Sequence, residues 1–289
     1  MPTLDKPKTD SKKFLKMAKD HLELAECAYK TKNYSDTISL LAQSVELASK
    51  SFLFNSGTIS NSDFSVVGHL PTKGFEKSID KIDMGFQTIK ENFDQIHLSE
   101  TEKIPEFNIN SVHSHRIQAK KTMSTISTNP KQFKNIPKKN MQNILSTIQN
   151  LQNQLEKSQN KIIADPNYLK NSDDFRKDVF NILDCQKMSK ALIQMFKYHS
   201  TVFYATLEDT LGIKDKAIVY HSIINVTVTF GLLAIVTQSH AISSRYNIYN
   251  DTHLLIKNFP QIKAEMTKAL EDLETFYKIS ERSQNFEST

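Results

Sequence analysis

Residues 33–75 read NYSDTISLLAQSVELASKSFLFNSGTISNSDFSVVGHLPTKGF, and this stretch decides the fold class. In its first half Ile38, Leu41, Ala42, Val45, Ala48, Ser49 and Phe52 recur at three- and four-residue steps, the apolar stripe of an amphipathic helix. Ser35 and Asp36 are expected to cap its start and Gly57 to stop it. Glu46 and Lys50 stand four apart with the Glu first, the favourable order, and on spacing alone they read as a solvent-facing pair. A Gly-containing turn follows, then Gly68-His69-Leu70, where His69 reads as a residue that closes the turn.

Upstream, Ser11 to Lys30 predicts a helix with Phe14, Met17, Ala18, His21, Leu22, Ala25, Ala28 and Tyr29 on its inner face. The break at Thr31–Asn33 is so short that the two helices must be antiparallel neighbours. Downstream the pattern narrows to a heptad seam: Phe75, Ile79, Ile82, Phe86, Ile89, Phe93 and Ile96. A polar stretch from His97 to Pro137, broken by Pro105, Pro130 and Pro137, contains a further helical segment at Ser111–Ser127. A second seam then runs through Met141, Ile144, Ile148, Leu151, Leu155, Ser158 and Ile162 until Asp165-Pro166 stops it. The two seams predict either partners in a long arm, which could also dimerise, or ordinary bundle helices.

Asp173 to Leu211 predicts one long amphipathic helix ended by Gly212. Between Lys216 and Arg245 there is no charged residue, and Ala217–Ile242 is long enough to span a bilayer. His221, Asn225 and Thr229 nevertheless form a polar row at i, i+4 and i+8, and Gln238 and His240 follow, so a buried core helix is the expected reading and a membrane span the alternative. The last helix is predicted at Gln261–Ile279, with Pro260 at its beginning, an inner stripe of Ile262, Met266, Ala269, Leu270, Leu273, Phe276 and Tyr277, and fraying after Glu281.

Composition agrees with an all-α fold: 289 residues with six Gly, eight Pro and no Trp leave few turn signals for a sheet of short strands. Cys27 and Cys185 stand alone and read as buried thiols in a reducing, cytoplasmic setting, and the N-terminal MPTLDKPKTDSKKFLK does not read as a secretory signal. No cofactor or metal is expected, because phosphate loops, zinc-ligand spacings and calcium loops are missing from the sequence. The carboxylate pairs Asp173-Asp174 and Glu271-Asp272 read as helix-start or exposed positions.

The apolar helix carrying Glu46-Leu-x-x-Lys50, the Gly turn and Gly68-His69-Leu70 together resemble the HEPN family of α-helical domains, found in prokaryotic toxin-antitoxin, defence and RNA-processing systems. A second point of resemblance is Ser244-Arg245-Tyr246-Asn247, placed between the apolar helix and the last one. The resemblance covers roughly 14–75 and 217–281. It implies a HEPN-like antiparallel bundle formed discontinuously by 11–75 and 206–281, with 76–205 as a helical insertion that forms an extended, coiled-coil-like arm. It also implies a homodimer and, in ribonuclease members, an Arg followed four to six residues later by a His. Here the nearest downstream His is His253, beyond that spacing, so Arg245 and His253 are the candidate pair and a structural role for Arg245 is the expected one. The chemistry such a pair offers is metal-independent: His exchanges protons and Arg stabilises the phosphorane.

A separate candidate is electrostatic. From Phe107 to Leu155 there is no acidic residue, while Arg116, Lys120, Lys121, Lys131, Lys134, Lys138 and Lys139 are basic. The rest of the chain then holds two more acids than bases, against an overall net charge of +5. Such asymmetry points to an anionic partner, single-stranded nucleic acid or RNA, with His113, His115 and Phe133 available for stacking. The expected function is therefore a non-catalytic nucleic-acid-binding or scaffold dimer. The alternatives are a metal-independent ribonuclease of toxin or defence type and a membrane-associated helical protein.

Overall fold

A computed structural model describes residues 9–63, 67–81, 109–128, 138–165, 172–186, 212–245 and 253–286, with a few positions between 188 and 197. The described chain is helical throughout: α1 (Thr9–Lys30), α2 (Tyr34–Asn55), α3 (71–81), α4 (Ile109–Thr128), α5 (Lys138–Ala164), α6 (Ser172–Asp184), α7 (Ile213–Arg245) and α8 (His253–Phe286). A 3-10 turn, Asn61–Asp63, stands between α2 and α3. The all-α class expected from the low turn content is the one observed.

α1 and α2 form the antiparallel hairpin that their short connection requires. Ser44 Oγ donates to the carbonyl of Ala18 at 2.7 Å and Ser51 Oγ to that of Ser11 at 2.6 Å, which fixes the register. Leu15, Ala18, Leu22 and Ala25 fill the inner face of α1, whereas Phe14, Met17 and Tyr29 are only partly covered. α1 ends with Lys32 at φ 61° and a bond of 2.8 Å from the amide of Asn33 to the carbonyl of Ala28, a left-handed helix stop made without glycine. The cap of α2 lies earlier than expected: Asn33, not Ser35 or Asp36, accepts from the amide of Asp36, and its side-chain amide donates to the Asp36 carboxylate at 2.6 Å. Gly57, at φ 68°, turns the chain after α2 as the sequence predicts.

α7 is the centre of the bundle. It packs on α2, α5, α6 and α8, and every residue from Val219 to Gln238 is buried. Lys214–Gln238 is long and apolar enough to cross a membrane, yet 94% of its most apolar window is covered by the protein's own helices. α8 lies antiparallel to α1, held by Lys12–Glu281, by Lys19–Glu274 at 3.0 Å and by Lys263–Glu26 at 2.6 Å. Tyr277 OH donates to the carbonyl of Ser51 at 2.8 Å and joins α8 to α2. α5 runs parallel to α8, with Gln152 beside Glu265 and Glu156 paired to Lys268 at 2.6 Å.

Several expectations need correction. The second seam is not half of a projecting arm: Met141, Ile148, Leu151, Leu155 and Ile162 are buried in the same core, because α5 finds its apolar partner in α7. Of the first seam only Phe75 and Ile79 are described, both buried, and the positions from Ile82 onward lie outside the described residues. The amphipathic run from Asp173 is interrupted after Asp184, where Gln186 folds back to donate to the carbonyl of Ile182 at 2.7 Å. Pro260 lies inside α8 rather than at its start. It faces solvent there, and Leu255, Phe259 and Ile262 are buried on both sides of it, so packing carries the helix across the one backbone bond Pro cannot make. α8 also continues past Glu281 to Phe286. Cys27 and Cys185 are exposed: Cys27 lies off the inner stripe of α1, and Cys185 follows the last turn of α6.

Candidate functional site

The corner where α2 meets the turn before α3 brings together three residues singled out in the sequence. Lys50 Nζ lies 2.6 Å from Glu46 Oε1, and His69 Nδ1 lies 3.1 Å and 3.2 Å from the two Glu46 oxygens. An ionised carboxylate only accepts, so Nδ1 carries the proton and donates. The pair is not solvent-facing, as its spacing suggested, because the side chains of Glu46 and Lys50 are 10% and 13% exposed. His69 is 73% exposed, and with Nδ1 engaged its Nε2 is the nitrogen left to accept a proton. His69 thus closes the turn by binding Glu46, and Gly68 at φ 52° supplies the left-handed backbone before it. A little further on, Thr72 donates to Gln238 of α7 at 2.6 Å and pins the turn to the central helix.

The pair suggested for catalysis falls at a helix junction. Arg245 is the last residue of α7 and His253 the first of α8, while Tyr246 and the rest of 246–252 lie outside the described residues. Five of the seven basic candidates lie on two helices. Lys120 and Lys121 are exposed on α4, with Lys120 paired to Asp80 of α3 at 2.6 Å, and Lys139 is exposed at the start of α5. Arg116 and Lys138 are placed on α4 and α5 by their backbone, and Lys131 and Lys134 lie outside the described residues. The expected helix at Ser111–Ser127 is observed as α4.

The polar row of α7 faces inward and is answered unevenly. Asn225 donates to the carboxylate of Asp272, and Thr229 donates to Asn225 Oδ1 at 2.9 Å. Gln152 reaches Thr229 at 3.5 Å and the carbonyl of Glu265 at 3.1 Å. His221 is 2% exposed and neither ring nitrogen has a partner among the described residues. Burial pushes its pKa down to about 4 from 6.5, opposed by the nearby carboxylate of Asp178. Asp272 is not the exposed carboxylate its sequence position suggested: burial raises its pKa, partly offset by the bond from Asn225. Glu265, which no sequence motif singles out, is buried and has its pKa raised to about 7 from 4.5. A signal for both is nevertheless present, since 265 and 272 are one heptad apart and flank the apolar stripe of α8.

Outside this core, Asp63 receives Lys77 at 2.7 Å and Lys81 at 3.2 Å, and its amide and hydroxyl bonds come from Ser60. Lys77 and Ser60 hold its carboxyl well below the ordinary range. Among the described residues no group of three or more His, Cys, Asp or Glu side chains is arranged to hold a metal ion. Comparison with family models, curated proteins and solved structures returns no match.

Proposed function

We propose that the chain is a HEPN-like helical protein that binds single-stranded RNA without catalysis and with little regard for sequence, as a homodimeric scaffold. The observation that carries this reading is the acid-free stretch 107–155 with its seven basic residues, of which Lys121 and Lys139 lie exposed on α4 and α5. α5 packs on α7, and its Met141, Leu145 and Ile148 are buried, so its first turn presents charge from a fixed support. Lys supplies charge without a guanidinium fork, which favours phosphate contacts over base readout.

Affinity for a labelled single-stranded RNA should fall linearly with salt on logarithmic axes, with a steep slope set by counterion release. Changing Lys131, Lys134, Lys138 and Lys139 together to Gln should flatten that slope by roughly one unit for each phosphate no longer neutralised. An unchanged slope and affinity would leave the basic stretch as a solvated linker. Light scattering checks the dimer, which should weigh about twice the 33.1 kDa chain.

A second reading is favoured by one specific contact. His69, held at Nδ1 by Glu46 with Nε2 directed away from that bond, is suited to take the proton of a 2′-hydroxyl, and metal-independent cleavage would then accompany binding. Incubation with RNA and with its 2′-deoxy counterpart in chelator separates the two readings: cleavage of RNA alone, abolished in His69→Asn, supports the second. Intact RNA supports the first.

A further inference from the structure

We propose that Glu265 is a protonation-controlled latch that holds α5 and α8 against α7. Its Oε1 accepts the amide of Gln261 at 2.8 Å, while Oε2 is buried without a partner among the described residues. Its backbone carbonyl accepts from Gln152 of α5, and the same amide reaches Thr229 of α7. The residue whose backbone receives the tie between the three helices therefore also carries a buried carboxyl whose charge no described cation answers.

Ion pairs and hydrogen bonds take up several of the charged groups on the elements packed around α8. On α1, Glu26 takes Lys263 and Lys19 takes Glu274. On α2, Glu46 takes Lys50. On α5, Glu156 takes Lys268. α7 has no acidic or basic residue between Lys216 and Arg245, and its His221 lies two turns from Thr229. On α8 itself, Asp272 takes Asn225 and Glu271 is exposed.

Ionising Glu265 here places a charge in the core beside one amide donor, a costly arrangement, whereas the neutral acid is tolerated. Burial accordingly keeps the carboxyl protonated up to about 7 in the folded state, against 4.5 ordinarily. The folded chain holds a proton that the unfolded chain releases above 4.5. The stabilisation is complete below that value and is lost as pH rises to about 7. The latch is closed on the acid side and weakens through neutrality, whether or not the chain binds nucleic acid.

Glu265→Gln keeps the shape and cannot ionise. Urea unfolding from pH 5 to pH 8 should show the folded-to-unfolded ratio of the wild type falling on the order of tenfold to a hundredfold relative to the variant. Amide exchange at Leu151–Leu155, corrected for its intrinsic pH dependence, should lose protection over the same range in the wild type alone. Parallel profiles for the two proteins would overturn the proposal. Should the variant fail to fold, carbon-detected titration of the wild-type Glu265 carboxyl decides: a midpoint near 7 supports the latch and one near 4.5 overturns it.

Discussion

Replacing His221 by Leu should make the protein more stable and remove a specific part of its acid sensitivity. The ring is 2% exposed, neither nitrogen has a partner among the described residues, and the nearby carboxylate of Asp178 is engaged by Ser158. With the folded-state pKa at about 4 and the unfolded value at 6.5, the unfolded chain takes up a proton first as pH falls. The stability tied to the neutral ring is therefore full above 6.5 and lost as pH falls to about 4. Its size is about 3 kcal/mol, from the roughly 1.4 kcal/mol that each pKa unit represents. Set against a total of about 5–15 kcal/mol for a typical domain, that is a large share. Leu fills a similar volume and needs no partner, so relief of the unpaired nitrogens should add about 1–3 kcal/mol at neutral pH. Urea unfolding followed by circular dichroism, at half-unit steps from about pH 4 to 7.5, gives both quantities as the wild-type-minus-variant difference. The contribution of Glu265 runs in the opposite direction and cancels in that difference. If the two proteins lose stability in parallel between pH 6.5 and 4, the ring is not held neutral by burial and the reasoning fails.

Three further outcomes are expected. Tyr277→Phe deletes the hydroxyl that donates to the carbonyl of Ser51 and should cost about 1–2 kcal/mol, read as a lower denaturant midpoint at unchanged slope. Gly68→Ala meets open space but must hold φ at 52°, so a loss of about 1 kcal/mol should appear, together with a changed imidazole environment for His69 by NMR. Asp63→Asn removes the carboxylate shared by Lys77 and Lys81, and the lost stability should be present above pH 3.8 and shrink as pH falls below it.

The class of fold is legible in the sequence because helical periodicity is a local property. The stripe of α2, the hairpin turn and the buried character of α7 follow from spacing and from the polar row alone. What periodicity does not encode is the partner of each stripe. The seam of Met141 to Ile162 satisfies a coiled-coil pattern and an intramolecular bundle equally, and only the placement of α7 separates them. Pro260 misleads because its missing amide is a local fact, whereas burial of Leu255 and Phe259 beyond it is a tertiary one. At the candidate site the spacing of Glu46 and Lys50 is visible, but their cover and the arrival of His69 depend on a turn 19 residues further along the chain. Asp272 and Glu265 escape a reading of the sequence because charged residues on a helix usually face water.

The central position of α7 bears on how the chain is made. α2 ends at Asn55, yet the helix that covers it begins at Ile213. At about 5–20 residues per second, the ribosome adds the intervening chain over roughly 8–30 s. Throughout that interval α2 lacks the central helix that packs on it in the finished bundle. A nascent chain stalled anywhere before α7 would carry the face of α2 that α7 packs on uncovered, a surface that a chaperone or a neighbouring nascent chain would meet before the bundle could close.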